Sequence, residues 1–451
     1  MIDHVAIIGA GFSGTLQAVN LLRHDGPRAT LIERAPVAGE GLAYGAAHPS
    51  HVLNVRASNM SAFPDEPDHF VRWLAANGVP DAATAFVPRI TYGAYLRELL
   101  DRALHAAGDR LTLLRGDVVD VERIGDGHVR LLFADGRSLD ADAAVLAVGN
   151  LPPHAPPGFD AATLPPDLYR GDPWAPGLAD GLRADDVVLA VGTGLTMIDV
   201  ILLLDARGFA GRIVAMSRRG LLPHRHAPAD PFQRIEDRPP HTASALVRAV
   251  RNRSAAVGWR NAVDELRPFT QMMWRAAGED QRARFLRHLR PWWDIHRHRL
   301  APQVAERIAA MQASGQLTVI AGKTLAARAV DDGIELAWRP RGQDAPQRLT
   351  VQRVINCTGP QGDLARTSEP LLRRLIDRGA IRPDSARIGI EVDAEAQTVA
   401  ADGSRNDWLF ALGPMTRGAF WEIVAVPDIR AQTWTLARRL SNAHWVGGEG
   451  L

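Results

Sequence analysis

Gly9, Gly11 and Gly14 stand in the spacing GxGxxG directly after the apolar, β-branched run His4-Val-Ala-Ile-Ile, and Glu33 follows 24 residues after Gly9. Glycines so spaced make a tight turn, let the backbone approach a pyrophosphate and let the next helix pack on its sheet. The N-terminal end of that helix, with Phe12 and Ser13 in its first turn, then faces the phosphates with its positive end. A carboxylate at Glu33 can accept hydrogen bonds from both hydroxyls of an adenosine ribose, and Arg34 follows it. A second turn of this kind, Gly192-Thr193-Gly194-Leu195-Thr196, has Met197 where the third glycine would stand. The strand after it ends Ser217-Arg218-Arg219-Gly220, with no acidic residue at the ribose position. Arginines there suit a ribose 2′-phosphate, because a guanidinium offers two parallel donors; the alternative is a solvated basic turn. The first half is therefore expected to hold FAD and the second NADPH. Two nucleotide sites in one chain imply hydride transfer from nicotinamide to flavin.

The fate of the flavin's electrons is narrowed by Cys357, the single cysteine. It excludes an intramolecular disulfide and any CxxC pair, and with them a disulfide reductase. Its late position in Val-Ile-Asn-Cys-Thr-Gly reads as a buried, inert thiol. Oxygen chemistry remains, or hydride transfer to an organic acceptor or a partner protein. His224, His226, His296 and His298 lack carboxylate or thiolate company, so no metal is expected. Trp292 and Trp293 read as packing of a cap or as a platform for substrate.

The elements that must position these residues form an α/β chain of two Rossmann-like units. After the first turn come Leu111-Thr-Leu-Leu-Arg, alternating strands, and Ala144-Val-Leu-Ala-Val-Gly149. After the second come Leu317-Thr-Val-Ile-Ala, alternating strands, and Val354-Ile-Asn-Cys-Thr-Gly359. One plan repeated twice is read as internal duplication. The expected division is a first FAD part over 1–155, an NADPH unit over 156–345 with a helical insertion at about 240–315, and a return to the FAD unit over 346–451. The return is required because Trp408-Leu-Phe-Ala-Leu is a further buried strand with no third unit to join. A length of 451 residues suits such an arrangement. A formal net charge of +1 argues against a nucleic-acid or acidic-membrane partner, and no apolar run is long enough to span a bilayer. With no basic and apolar leader at the N-terminus, the chain is expected to be cytoplasmic.

Several blocks are familiar. Gly39-Glu-Gly-Leu-Ala-Tyr-Gly45, the run His51 to Phe70, Val87-Pro-Arg-Ile-Thr-Tyr-Gly-Ala-Tyr95, Trp292-Trp-Asp-Ile-His-Arg-His-Arg299 and Gly413-Pro-Met-Thr-Arg-Gly-Ala-Phe-Trp-Glu422 recur in one group of flavoproteins. The chain resembles the FAD-NAD(P)-binding family, near class B flavin monooxygenases and amine N-hydroxylases, over nearly its full length. The resemblance implies that Asn54 through Ser61, including Met60, run beside the isoalloxazine ring. It implies that Gly413 and the segment after it close over the ring's pyrimidine end, and that Tyr44, Val118 and Gly149 belong to the FAD site. Trp421 and Glu422 are then site neighbours; Glu422 could orient a cationic amine, or simply complement a helix start. Tyr169-Arg-Gly-Asp-Pro-Trp174 lacks the histidine of ketone-inserting relatives, which favours heteroatom oxidation. The expected activity is an NADPH-dependent monooxygenase that uses a C4a-hydroperoxyflavin to N-hydroxylate a small polar metabolite with O2. The alternatives are a flavin reductase or dehydrogenase without oxygen insertion, and a flavin-bound regulatory or assembly protein.

Overall fold

The computed structural model describes residues 2–125, 127–227, 235–240 and 242–441. Two mostly parallel sheets carry the chain, each built around a short, largely buried central strand. In the first, β1 (His4–Ile8) lies between β2 (Arg28–Glu33) and a later strand, and all five of its residues are buried. Continuous Val/Ile/Ala runs form such central strands because both faces are covered by helices or loops. β3 (Leu111–Arg115) adds beside β2. An antiparallel meander follows: β4 (Val118–Arg123), β5 (Val129–Phe133) and β6 (Ser138–Ala141). The chain then returns through β7 (Ala143–Leu146) to the other side of β1.

The second sheet repeats this order. A two-residue edge strand, β8 (Tyr169–Arg170), precedes the central β9 (Val187–Val191), which is flanked by β10 (Arg212–Ser217) and a later strand. β11 (Leu317–Val330) pairs in parallel with β10 over its first residues and antiparallel with β12 (Gly333–Pro340) over the rest. It thus does in one strand what β3 and β4 do in two. β13 (Gln347–Val351) completes the hairpin, and β14 (Arg353–Asn356) inserts beside β9 as β7 does beside β1. These two strands stay in the second sheet, so the return to the first follows residue 356 and not 346. The reason is that β14 supplies a parallel neighbour on the side of β9 away from β10.

β16 (Arg405–Ala411) then lies parallel to β7, with β15 (Gln397–Val399) at the edge. The two crossings between the sheets run side by side, joined by an antiparallel bridge between Leu151 and Gln361. Each half has its own core: Leu16, Tyr92, Tyr95 and Leu146 lie in the first, and Met197, Ile201, Ile308 and Cys357 in the second. The helix Pro302–Ala313 packs into the second core through Val304, Ile308 and Met311. The helices Ala243–Val257, Trp259–Asp264, Thr270–Ala276 and Arg290–Arg297 lie between β10 and this one. Among the described residues no helix is long and apolar enough to cross a membrane.

Candidate functional site

The first glycine turn joins β1 to the helix Phe12–Arg23. Gly9 has φ +102°, and a Cβ on it would lie 2.5 Å from the Ala147 carbonyl oxygen, so the chain just after β7 passes too close for any side chain. Gly11 is the N-cap and offers no side chain to the first amides of the helix, which leaves those of Phe12, Ser13 and Gly14 for an anion. Glu33 Oε2 accepts from the Ala10 amide and Oε1 from the Ala35 amide, both at 2.8 Å. That fixes the carboxylate at the crest of β2 while leaving lone pairs for further donors. Gly413, at φ +75°, meets the same helix start: a Cβ there would lie 2.4 Å from Ser13 Oγ. Gly149 (φ +67°) has open space around it, and Asn150 beside it accepts from Arg417 Nη2 at 3.0 Å. This cradle fits the pyrophosphate and ribose of a dinucleotide.

The second turn copies the first. Gly192 (φ +118°) would put a Cβ 2.2 Å from the Cys357 carbonyl, as Gly9 does with Ala147. Gly194 caps the helix Leu195–Ala206 without a side-chain bond, and space at Gly194 is open. Thr193 Oγ1 donates to the Leu221 carbonyl (2.6 Å) and lies 2.8 Å from the Ser217 hydroxyl. Ser217 therefore occupies the place that Glu33 holds in the first half. Arg218 is exposed, and Arg219 sits with its Cζ 5.9 Å from the centre of the Trp292 ring. Arg341 carries no signal in its own stretch of sequence; its Nη1 donates to the Arg218 carbonyl at 3.3 Å. No local spacing could have found it, since 123 residues separate the two.

The remaining candidates are placed unevenly. Tyr44 stands over Phe12, with ring centres 6.3 Å apart. Asn54 is half-buried, its carbonyl accepting from His226 Nε2 at 2.9 Å. Met60 and Val118 are buried in the first core, and the Ser61 hydroxyl donates to the Glu66 carbonyl at 2.5 Å. Arg34 is drawn to Glu369 at 2.8 Å. Cys357 is buried, and burial pushes its thiol well up.

Trp421 and Glu422 lie where the helical insertion meets the segment after Gly413. Trp421 stacks on Trp274 at 4.6 Å and meets Phe285 edge-on, while Trp274 Nε1 donates to the Gly418 carbonyl at 2.8 Å. With Met273, Leu289 and Trp293 these rings line an apolar cleft of about 80 Å³. Glu422, in the left-handed region at φ +70°, is buried; its Oε1 accepts from Trp293 Nε1 (2.8 Å) and its Oε2 lies 3.4 Å from Arg297 Nε. Oε1 is thus held by the insertion, while the buried Oε2 faces Arg297 and makes no hydrogen bond. The Arg417 guanidinium is nearly buried beside this segment, and burial lowers it to about 10, still charged at neutral pH.

Residues 6–151 match the FAD-NAD(P)-binding family. No curated protein matches the chain. Among solved structures, ornithine hydroxylase from Pseudomonas aeruginosa is 16% identical, with 98% of this chain and 99% of that chain covered and a TM-score of 0.68. L-lysine 6-monooxygenase from Pseudomonas syringae is 16% identical, covering 98% and 100%, with a TM-score of 0.69. Thioredoxin reductase from Lactococcus lactis is 13% identical over 98% and 100%, with a lower TM-score of 0.52. The two-sheet dinucleotide-binding fold is shared with all three.

Proposed function

We propose that the chain is an NADPH-dependent, FAD-containing monooxygenase that hydroxylates a nitrogen or related heteroatom of a small molecule. The observation that carries this is the pair of matched glycine cradles with opposite ribose chemistry: a fixed carboxylate at Glu33, and Ser217 with Arg218 and Arg219 at the equivalent place. A carboxylate repels a 2′-phosphate and suits a free ribose; guanidinium groups do the reverse. Bound FAD would supply the redox chemistry, taking hydride from NADPH and passing electrons to O2. The amides of Phe12, Ser13 and Gly14 would hold its pyrophosphate, and those of Leu195 and Thr196 that of NADPH.

Oxygen insertion is favoured over simple electron transfer by the names of two structural neighbours, a hydroxylase and a monooxygenase. The single buried cysteine supports it, because no thiol pair is present for the disulfide chemistry of a thioredoxin reductase. The cleft of Trp274, Trp421, Trp293 and Phe285 suits a planar or apolar part of a substrate. The deciding experiment follows NADPH, O2 and product together across a panel of amines. Substrate-stimulated NADPH oxidation with one hydroxylated product per O2 is expected. Oxidation that returns all its oxygen as hydrogen peroxide with every amine would point to the reductase reading instead.

A further inference from the structure

Beyond the two crossings, one segment of the first half is laid on the second. Residues 48–54 lie against the helix Leu195–Ala206, whose first amides face the second cradle. Ser50 Oγ donates to the Leu202 carbonyl at 3.3 Å. The His48 amide donates to His51 Nδ1 at 3.0 Å, so the proton of that ring is on Nε2, which donates to the Asp199 carbonyl at 3.0 Å. Arg89, at the start of the helix Arg89–Ala107, places Nη2 2.8 Å from Asp199 Oδ2, and its own amide donates to the His51 carbonyl. The Asp199 side chain is only 6% exposed, and His51 is 3% exposed. Burial raises the Asp199 carboxyl to about 6 against the pull of Arg89, and lowers the His51 imidazole to about 4.

The packing has the same sense. Val52 and Phe86 lean on the second core, whereas Leu53 belongs to the first. Three residues after His51 comes Asn54, tied to His226 of the second half. A buried ion pair is a poor source of stability, since desolvation offsets the attraction and an apolar pair would serve as well. What it supplies is a fixed direction: the helix cannot turn or slide without carrying His51 and Arg89 with it.

We propose that Arg89, His51 and Asp199 are positioning residues that couple nucleotide binding at Gly192–Thr196 to the placement of residues 48–54, and so of Asn54 against the flavin. This rests on the two-nucleotide reading above. Asp199 is three residues beyond Thr196 on the same rigid helix, so a pyrophosphate seated on the amides of Leu195 and Thr196 acts on the helix that holds the segment. The coupling is reciprocal: flavin occupancy tightens the nucleotide site by the same factor.

Hydrogen exchange on the FAD-loaded full chain, with and without NADP+, tests it. NADP+ is expected to slow exchange in a peptide spanning residues 48–56 by ~10-fold in the parent protein and by less than about 2-fold in Asp199→Asn. Because Asp199→Asn leaves the Arg89 charge without its partner, the double variant that adds Arg89→Gln provides a neutral pair, which should fold and should also lose the protection. In both variants anaerobic bleaching of the flavin by saturating NADPH slows by ~10-fold, while bleaching by dithionite does not change. A role confined to stability would lower Tm and raise exchange throughout, and would leave the NADP+-dependent protection in place. Protection of 48–56 that persists in the variants, or is absent from an NADP+-bound parent, overturns the inference. If NADPH neither binds the parent nor bleaches its flavin, the two-nucleotide reading itself fails.

Discussion

Gly14 and Met197 occupy the same position in the two halves and should respond to substitution in opposite ways. A Cβ on Gly14 would lie 1.8 Å from the Gly9 carbonyl oxygen and 3.3 Å from Ala147 Cβ. Gly14→Ala must therefore move the helix Phe12–Arg23 off its turn by roughly 1 Å, at about 1–3 kcal/mol for an overpacked site. The larger effect falls on the cradle, because amides displaced by that much lose their aim at a pyrophosphate; a charge-assisted hydrogen bond of about 1.5–3 kcal/mol is ~10–100-fold in affinity. Met197 is fully buried in the second core, where the helix already stands clear of Gly192. Met197→Gly costs about 2–5 kcal/mol for the cavity and about 1 more for glycine within a helix. At roughly 2–4 °C per kcal/mol, Met197→Gly is the less stable protein, yet it keeps its flavin. Gly14→Ala melts closer to wild type and comes off the column pale. The flavin-to-protein absorbance ratio and a melting curve on both proteins settle the matter. Gly14→Ala with a full complement of flavin and an unchanged Tm would refute the reasoning.

Four further outcomes rest on the geometry. Arg219→Ala removes a charge-assisted donor worth about 1.5–3 kcal/mol, so the Kd for 2′,5′-ADP should rise ~10–100-fold while that for 5′-AMP hardly moves; calorimetry reads both. Glu33→Gln leaves only one oxygen for the Ala10 and Ala35 amides, and FAD retention after dialysis should fall ~10-fold. Trp293→Phe takes the N–H from the buried Glu422 carboxylate, which costs about 1–3 kcal/mol; an unchanged urea midpoint would contradict that. The His51 imidazole is lowered from 6.5 to about 4, so its contribution is fully present above pH 6.5 and is lost as pH falls towards 4. The stability gap between wild type and His51→Gln should shrink by up to about 3 kcal/mol over that window, measured by urea unfolding. Asp199, raised by burial, titrates in the opposite sense, so only this pairwise comparison isolates His51.

The parts of the site that sequence spacing reveals are those made within one turn. Gly9, Gly11, Glu33, Gly192, Gly194 and the Arg218–Arg219 pair sit at fixed offsets from a strand end, and the strand–turn–helix geometry places them. Ser217 is readable as the absence of an acid, though its bond to Thr193 is not. Contacts between distant segments are out of reach, because any of 51 arginines can serve any carboxylate. Arg89 with Asp199, Arg341 with the Arg218 carbonyl, and Trp293 with Glu422 all span more than a hundred residues. The second unit runs past 345 because Gln347–Val351 is a short strand whose partner β12 is not apparent from its own residues, while Arg353–Asn356 takes beside β9 the place its repeat pattern gives it, that of β7 beside β1. The insertion is narrower than expected for a related reason: Pro302–Ala313 is amphipathic like its neighbours, yet it fills the second core.

The bridge between Leu151 and Gln361 puts both covalent paths between the halves at one spot. A chain that crosses at two well-separated points is confined to rotation about the line joining them. One that crosses twice through a single ladder rung behaves as a pivot, and orientation must then be set by noncovalent clamps elsewhere: Arg89 on Asp199, His226 on Asn54, Arg267 on Asp428. A protease that cut one crossing would leave the other intact, so the nicked protein would run as one particle until denatured.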